Sequence, residues 1–423
     1  MQTHFTDADR QKPHIQEAER ILRTCVHCGF CNATCPTYQL LGDERDGPRG
    51  RIYLMKELLE SRDDDDQVTE ETRLHLDRCL TCRNCETTCP SGVEYHKLLD
   101  IGRAEIDRRV PRSAAERAQR YALRKMLVDP KRFKALLALG QTFKPLVPGK
   151  LRSKMPPAPV DAGQRPDSQR HARKVLILEG CVQPGLSPNT NAATARLLDR
   201  LGISVTPISE AGCCGAIDFH LNAQEAGRER MRANIDAWWP QIEQGAEAIV
   251  QTASGCGAFV KEYADMLKDD PAYAEKAKKV SALAKDIVEI LRDEPLEALQ
   301  LKEHQRLAFH CPCTLQHAQK LNGAVEGVLS KLGFALTPVK DAHLCCGSAG
   351  TYNLMQPELS QALKARKLDT LRATAPQVIA AGNIGCMMQL AGGAGVPVVH
   401  TVELLDWATG GPKPAKIAAA EAA

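Results

Sequence analysis

The chain repeats one cysteine run without deviation, and that run constrains the fold more than anything else in its 423 residues. Cys25-Val-His-Cys28-Gly-Phe-Cys31-Asn-Ala-Thr-Cys35-Pro36 has the spacing C-x2-C-x2-C-x3-C-P, and Cys79-Leu-Thr-Cys82-Arg-Asn-Cys85-Glu-Thr-Thr-Cys89-Pro90 has it again. Three thiolates at i, i+3 and i+6 can wrap one face of an iron–sulfur cubane, leaving its fourth iron to a ligand from elsewhere. The proline after the fourth cysteine fixes φ and turns the chain away. Zinc sites take four ligands, usually as two separated pairs, so a third cysteine at i+6 is poorly explained by zinc. A disulfide framework fails on compartment. Met1 to Arg20 is polar and charged, without an apolar signal core, which points to a reducing cytoplasm.

The run is the pattern of two-cluster ferredoxins, in which the fourth cysteine ligates the other cluster. Cys25, Cys28, Cys31 and Cys89 are therefore expected to hold one [4Fe–4S] cluster, and Cys79, Cys82, Cys85 and Cys35 the second. Between the runs, Pro48 to Glu60 places Ile52, Met55, Leu58 and Leu59 at helical spacing, and Thr69 to Arg78 also reads as helical. Residues 1–110 thus form an α-helical two-cluster domain rather than a compact β-rich one. Asp63 to Asp66 reads as a solvated loop. Arg45, Arg49 and Arg51 can pair with cluster charge or a partner, or simply keep the surface soluble; the alternatives stay open.

Residues 111–172 are basic. Tyr121-Ala-Leu-Arg-Lys-Met-Leu and Phe133-Lys-Ala-Leu-Leu-Ala-Leu suit short amphipathic helices, after which Pro145, Pro148, Pro156, Pro157 and Pro159 break regularity. Asp161 to Arg170 reads as a linker. A basic amphipathic stretch can lie on an anionic membrane surface, here the inner face of the cell membrane, or dock a partner subunit. No stretch approaches ~20 uninterrupted apolar residues, so no membrane span is expected. The net charge of +3 gives no reason to expect nucleic acid as a partner.

The remainder is a duplication, residues 173–300 and 301–423. Lys174 to Cys181 is strand-like, Asn191 to Leu201 helical, and Ile203 to Ile208 a second strand leading to Gly212-Cys213-Cys214-Gly215. Ala248 to Cys256 is a third strand ending in cysteine. The second copy matches: Arg306 to Cys313, then Phe334 to Val339, Leu344-Cys345-Cys346-Gly347, and Gln377 to Cys386. Cys181 to Cys213 and Cys313 to Cys345 are both 32 positions apart. Alternating strands and helices predict a parallel sheet in each copy, with ligands beyond the carboxyl ends of its strands. The cysteines are expected there. Cys181, Cys213, Cys214 and Cys256, with Cys313, Cys345, Cys346 and Cys386, are candidates for further iron–sulfur clusters, for zinc, or for redox thiols. Cys311 has no counterpart in the first copy. His310, His317 and His343 read as polar neighbours. The overall expectation is an α+β multidomain chain: a helical two-cluster ferredoxin domain followed by a duplicated α/β CCG-repeat domain.

A double ferredoxin run followed by two CCG repeats resembles the family of heterodisulfide reductase B/D-like proteins. The block from Cys25 through Thr37-Tyr38, Gly47-Pro-Arg-Gly-Arg-Ile-Tyr-Leu54, and Asp77 to Val93 carry the resemblance, which covers nearly the whole chain. That family closes each repeat with C-x2-C; here Ala253 and Asn383 stand three positions before Cys256 and Cys386. The resemblance is strongest to members that serve glycolate oxidation. It implies an electron-transfer subunit fed by FAD-containing flavoprotein subunits that oxidise glycolate to glyoxylate, with a quinone or another membrane acceptor downstream. Sibling members serve lactate or glycerol 3-phosphate, and a CCG half reducing a disulfide or quinone is the other alternative. Hydride removal needs a flavin or nicotinamide. No G-x-G-x-x-G follows a strand here, and Gly392-Gly-Ala-Gly395 lacks the spacing, so neither cofactor is expected in this chain. No general base or nucleophile is expected to act catalytically.

Overall fold

The computed structural model describes residues 1–61, 68–146, 158, 161–299 and 306–422. Asp63 to Asp66, Pro148, Pro156, Pro157 and Pro159 lie outside them. The chain divides into two compact units. Met1–Tyr121 with His343–Lys367 forms one, and Ala122–Ala342 with Leu368–Ala423 forms the other.

The first unit is helical among its described residues. Pro13–Thr24, Pro48–Glu60, Glu70–Asp77 and Tyr95–Arg109 are its main helices. Pro48 opens the second, its fixed φ suiting a first-turn position. The expected stripe Ile52, Met55, Leu58 and Leu59 is buried against Leu98, Leu99 and Ile106. Thr69 caps Glu70–Asp77 by accepting from the Glu71 amide at 3.3 Å. A Cβ at Gly102 would come within 2.7 Å of the Met55 sulfur, so a bare backbone there lets Tyr95–Arg109 pack closely on Pro48–Glu60. The segment His343–Lys367 is tied to this unit by Asn84 donating to the His343 carbonyl at 3.3 Å and Tyr352 donating to the Arg78 carbonyl at 3.0 Å.

The second unit holds two four-stranded parallel sheets of identical order. In the first, β1 (Arg173–Ile177) lies between β2 (Ile203–Pro207) and β3 (Ile249–Gln251), and β4 (Ala284–Asp286) flanks β3. In the second, β5 (Arg306–His310) lies between β6 (Ala335–Thr337) and β7 (Val378–Ala381), with β8 (Val398–His400) outside. Val175 pairs with Val205, and Ala308 with Thr337. Each copy thus has a fourth strand beyond the three expected. The expected strands are also shorter than foreseen: β1 ends at Ile177, β2 at Pro207, β3 at Gln251, β5 at His310, β6 at Thr337 and β7 at Ala381. Cys256 and Cys386 therefore lie in the first turns of the helices that follow, Ser254–Lys261 and Ile384–Ala391.

The two copies pack reciprocally. The first copy's Pro188–Arg200 meets the second copy's Thr401–Ala408, and the second copy's Ala324–Lys331 meets the first copy's Ile287–Asp293. Each contact joins the helix after the first strand to the helix after the fourth, so the interface is a pseudo-two-fold one. Its apolar part runs through Leu197, Leu198, Leu291, Val325, Leu329 and Leu405. Buried Asp406 is held by Arg196 and Arg200, each at 2.8 Å.

Asp286, at the end of β4, caps Ile287–Asp293: its carboxylate accepts from the Val288 amide at 3.1 Å, and Glu289 returns the bond to the Asp286 amide at 2.8 Å. Burial pushes its carboxyl up to about 7. The folded chain then keeps a proton that the unfolded chain, titrating near ~3.9, gives up. The stability this contributes is full below pH ~4 and is lost as pH rises through about 7, by at most ~4 kcal/mol. Asp286→Asn keeps a capping oxygen and removes the titration. Anaerobic melting at pH 5 and pH 8 should show the wild type losing stability between them and D286N losing measurably less.

Candidate metal centres

Each cysteine run curls through alternate left-handed residues. His27 and Gly29 take φ of 61° and 84° in the first, and Thr81 and Arg83 take 53° and 59° in the second. Successive turns of this kind aim backbone amides inward and make an anion-binding concavity. In the second run the Thr81 amide points at the Cys79 sulfur, 3.4 Å away.

The runs cross over. Cys25, Cys28, Cys31 and Cys89 line a solvent-open pocket of about 420 Å³, walled by Val26, Pro48, Ile52, Pro90 and Val93. Cys35, Cys79, Cys82 and Cys85 line a second of about 370 Å³ with Thr37, Leu80, Arg51 and His96. Pro48, Cys85 and Tyr95 border both, so the pockets are neighbours. The first opens at exposed Cys28, beside Val26 and Phe30, which are 68% and 63% exposed. Cys35, Cys82 and Cys85 of the second are buried.

Four convergent thiols in an apolar pocket are the donor set of an iron–sulfur cubane, and the electrostatics fit. Burial pushes Cys31 up to about 11 and raises Cys85 as well, so a cation bound by these two thiols displaces their protons. The buried Tyr95 hydroxyl has no nitrogen or oxygen partner; the group it faces is the Cys79 thiol. The three arginines that look alike in sequence separate here. Arg45 is exposed on Asp43 and Glu71, Arg49 pairs with Glu44 at 2.6 Å, and Arg51 is buried on the second pocket.

In the first repeat all four cysteines meet. Thiol contacts run from Cys181 to Cys213, on to Cys214, and from Cys214 to Cys256. Hydrogen bonds from Cys181 and Cys214 hold Cys213 well below the ordinary thiol value, while those two are pushed up. Asn234 donates to the Cys213 carbonyl at 2.9 Å and Tyr263 to that of Cys214 at 2.6 Å, fixing the paired cysteines by their backbone. Sequence reading missed both residues, which sit mid-helix and in an ordinary apolar context. In the second repeat, Cys345 and Cys346 belong to the first unit and Cys311, Cys313 and Cys386 to the second. His310 at the end of β5 has a ring nitrogen within 4.8 Å of the Cys386 sulfur. Asn383 caps Ile384–Ala391 through the Gly385 amide at 2.8 Å and reaches Ser254 Oγ at 3.1 Å, a cap and a bridge between repeats.

The 4Fe-4S dicluster domain family matches residues 21–93, and the cysteine-rich domain family matches residues 175–261 and 307–391. The "Glycolate oxidase iron-sulfur subunit" of Escherichia coli (strain K12) is 60% identical over 408 residues, 96% of this chain and 99% of that protein. This chain belongs to the glycolate oxidase iron–sulfur subunit family. The "Probable glycolate oxidase iron-sulfur subunit" of Bacillus subtilis (strain 168) is 30% identical over 94% of this chain and 96% of its own. The "Lactate utilization protein A" of the same organism is 27% identical over 55% of this chain and 99% of its own. As a member of the family the chain is a ferredoxin-type iron–sulfur protein, an electron-transfer subunit of an oxidoreductase. Among the described residues no helix is long and apolar enough to cross a membrane.

The glycine of each CCG turn has a mechanical reason. Gly215 sits at φ 101°, where a Cβ would meet the Gly227 carbonyl at 2.8 Å; Gly347 sits at φ 83°, where it would meet that of Ser360 at 2.6 Å. Gly245, at φ 91°, has open space around it. Gly215→Ala should therefore cost more than the ~1–2 kcal/mol of left-handed strain that Gly245→Ala pays alone. Chemical denaturation of the two variants under anaerobic conditions checks the order.

Proposed function

We propose that this chain is the electron relay of a glycolate oxidase complex, receiving electrons from an FAD-containing partner subunit that oxidises glycolate to glyoxylate. The observation that carries the reading is the pair of adjoining four-cysteine pockets, an outer one with exposed Cys28 and an inner one with three of its four cysteines buried. Cys25, Cys28, Cys31 and Cys89 would hold one [4Fe–4S] cluster, and Cys79, Cys82, Cys85 and Cys35 the other. Bound clusters supply one-electron redox steps. Glycolate gives up two electrons and two protons at the partner's flavin; the relay carries the electrons singly to a quinone or another acceptor, which takes up two of each. The chain's own residues supply the thiolates, bury three of the four cysteines of the inner pocket, and leave Cys28 of the outer one exposed beside Val26 and Phe30.

The ferredoxin-type domain in this reading is residues 1–110, the basic helical segment and linker 111–172, and the repeats 173–300 and 301–423. We assign the four thiols of Cys181, Cys213, Cys214 and Cys256 to a further iron–sulfur centre, because they form one continuous set within the first repeat; Cys313, Cys345, Cys346 and Cys386 are its counterparts. The helix Pro130–Phe143 supports contact with the inner face of the membrane: it exposes Leu136, Leu139 and Phe143 along one side, with Lys131, Arg132 and Lys134 also exposed.

The test is an anaerobic titration of the purified complex with glycolate, lactate and glycerol 3-phosphate, followed by visible absorbance and EPR. Prompt reduction of two [4Fe–4S] signals by glycolate is expected. Reduction by another of the three alone moves the chain to a sibling complex, and reduction by none, with clusters intact, overturns the assignment. Iron and sulfide in excess of two four-iron clusters, lost in Cys214→Ser with both ferredoxin-type signals retained, is expected if the first repeat holds its own centre.

A further inference from the structure

The two ferredoxin-type pockets are twins in sequence but not in their surroundings. Beside the first, Arg49 donates through Nε to Glu44 at 2.6 Å and is bound to it a second time at 3.1 Å, and the Met1 ammonium donates to the Cys25 carbonyl at 2.6 Å. Beside the second, a guanidinium is buried. Arg51, with a side chain only 1% exposed, lines the pocket itself. It donates to the His75 carbonyl at 2.7 Å, to Thr37 Oγ1 at 3.2 Å and to Asp46 at 3.4 Å. Thr37 Oγ1 in turn lies 3.3 Å from the Cys35 sulfur, so the guanidinium reaches a candidate ligand through one hydroxyl.

Arg103, also buried, donates to the carbonyls of Leu76 and Cys79 at 2.8 Å and to Thr81 Oγ1 at 3.3 Å. Arg78 shares Asp46 at 2.9 Å. Asp46 also contacts His75 at 3.0 Å. The other acids near the second pocket have their own partners: Glu86 is paired with His96 at 2.7 Å, Asp43 with Arg45 at 2.8 Å, and Asp77 with Arg112. Tyr95 adds the buried hydroxyl that faces Cys79.

Reducing a four-thiolate cubane adds one negative charge. Nearby positive charge and hydrogen bonds to sulfur favour the reduced state, and both act more strongly away from water. We propose that Arg51 and Tyr95 hold the potential of the second ferredoxin-type centre above the value its buried cysteines alone would give. The proposal depends on the assignment of two clusters to the two pockets. Tyr352 lies within electrostatic reach of Cys79, Arg51 and Arg103 on one side and of Cys345, in the CCG turn, on the other. Tyr352 thus stands between the second pocket and the Cys345 thiol.

The experiment is a potentiometric titration of the intact, anaerobically purified complex, with the two [4Fe–4S] EPR signals followed separately. Arg51→Gln and Tyr95→Phe should each lower the midpoint of one and the same signal, Arg51→Gln by more, and leave the other in place. Arg51→Lys should restore part of the shift, and Arg49→Gln should move neither signal comparably. Unchanged midpoints in Tyr95→Phe and Arg51→Gln, or both signals moving together, overturn the proposal. Tyr95→Phe removes a single oxygen from a buried ring and decides the matter if Arg51→Gln fails to assemble. Absence of two four-iron signals from the wild type would instead refute the ligand assignment on which the proposal stands.

Discussion

The exchange of the fourth cysteine between the two runs is the constraint on which the first unit depends. Cys35 must reach the group Cys79–Cys85, and Cys89 must return to Cys25–Cys31, so residues more than forty positions apart in sequence are brought to adjoining walls. The helix Pro48–Glu60 makes that possible by lying beneath both. Its first turn supplies Pro48 to both pockets, and Gly50 lets the chain double back against the Glu44 carbonyl, where a Cβ would come within 2.1 Å. Burial keeps Cys31 and Cys85 protonated until a cation takes the place of their protons. Folding and metal binding are therefore linked in this unit.

Much of this was legible before any coordinates. The spacing C-x2-C-x2-C-x3-C-P specifies a local loop geometry, and its repetition specifies the crossover; both were readable because they rest on short-range covalent geometry. The helix Pro48–Glu60 was readable from its apolar period. Arg51 was legible in principle: it falls on the same face as Met55 and Leu58, whereas Arg49, two residues earlier, faces almost the opposite way. Read as one of three arginines in a row, it looked like a surface charge. Tyr95 carried no local mark, since its position between the pockets comes from the packing of Tyr95–Arg109, which no local pattern encodes. β4 and β8 were missed for a different reason. Each is three residues long, too short for a period of two to declare itself, and Ala284-Lys-Asp286 holds only one apolar residue. The same shortness explains why Cys256 and Cys386 belong to helix starts: strand pairing stops at Gln251 and Ala381 and the chain turns at once.

The duplication shows how equal sequence units come to unequal use. Both repeats keep the sheet order, the reciprocal helix packing and a left-handed glycine after the paired cysteines. They differ in what surrounds the thiols. The first repeat encloses its four in a single unit, with Asn234 and Tyr263 bound to the backbone of the pair. In the second, the Cys345–Cys346 turn folds with the ferredoxin-type helices through Asn84 and Tyr352. Ala253 and Asn383, where a fifth cysteine would complete the related motif, differ as well: Asn383 is spent on a helix cap and on Ser254, so its place is structurally occupied.

The chemistry of the inner pocket explains why the buried cations are arginines. A lysine would bring a compact point charge with rotatable donors, without the planar fork that holds several acceptors in fixed directions. A guanidinium stays charged, and its planar fork lets Arg51 satisfy a carbonyl, a hydroxyl and a carboxylate at once while still lining the pocket. Asp46 performs the complementary task. It shares its two oxygens among Arg51, Arg78 and His75, which fixes the guanidinium without cancelling the whole positive charge of the site. Arg49, beside the outer pocket, is instead paired with Glu44 nearer the surface. The two centres thus differ in a buried guanidinium and in the Tyr95 hydroxyl that faces Cys79, set on a scaffold that is otherwise repeated.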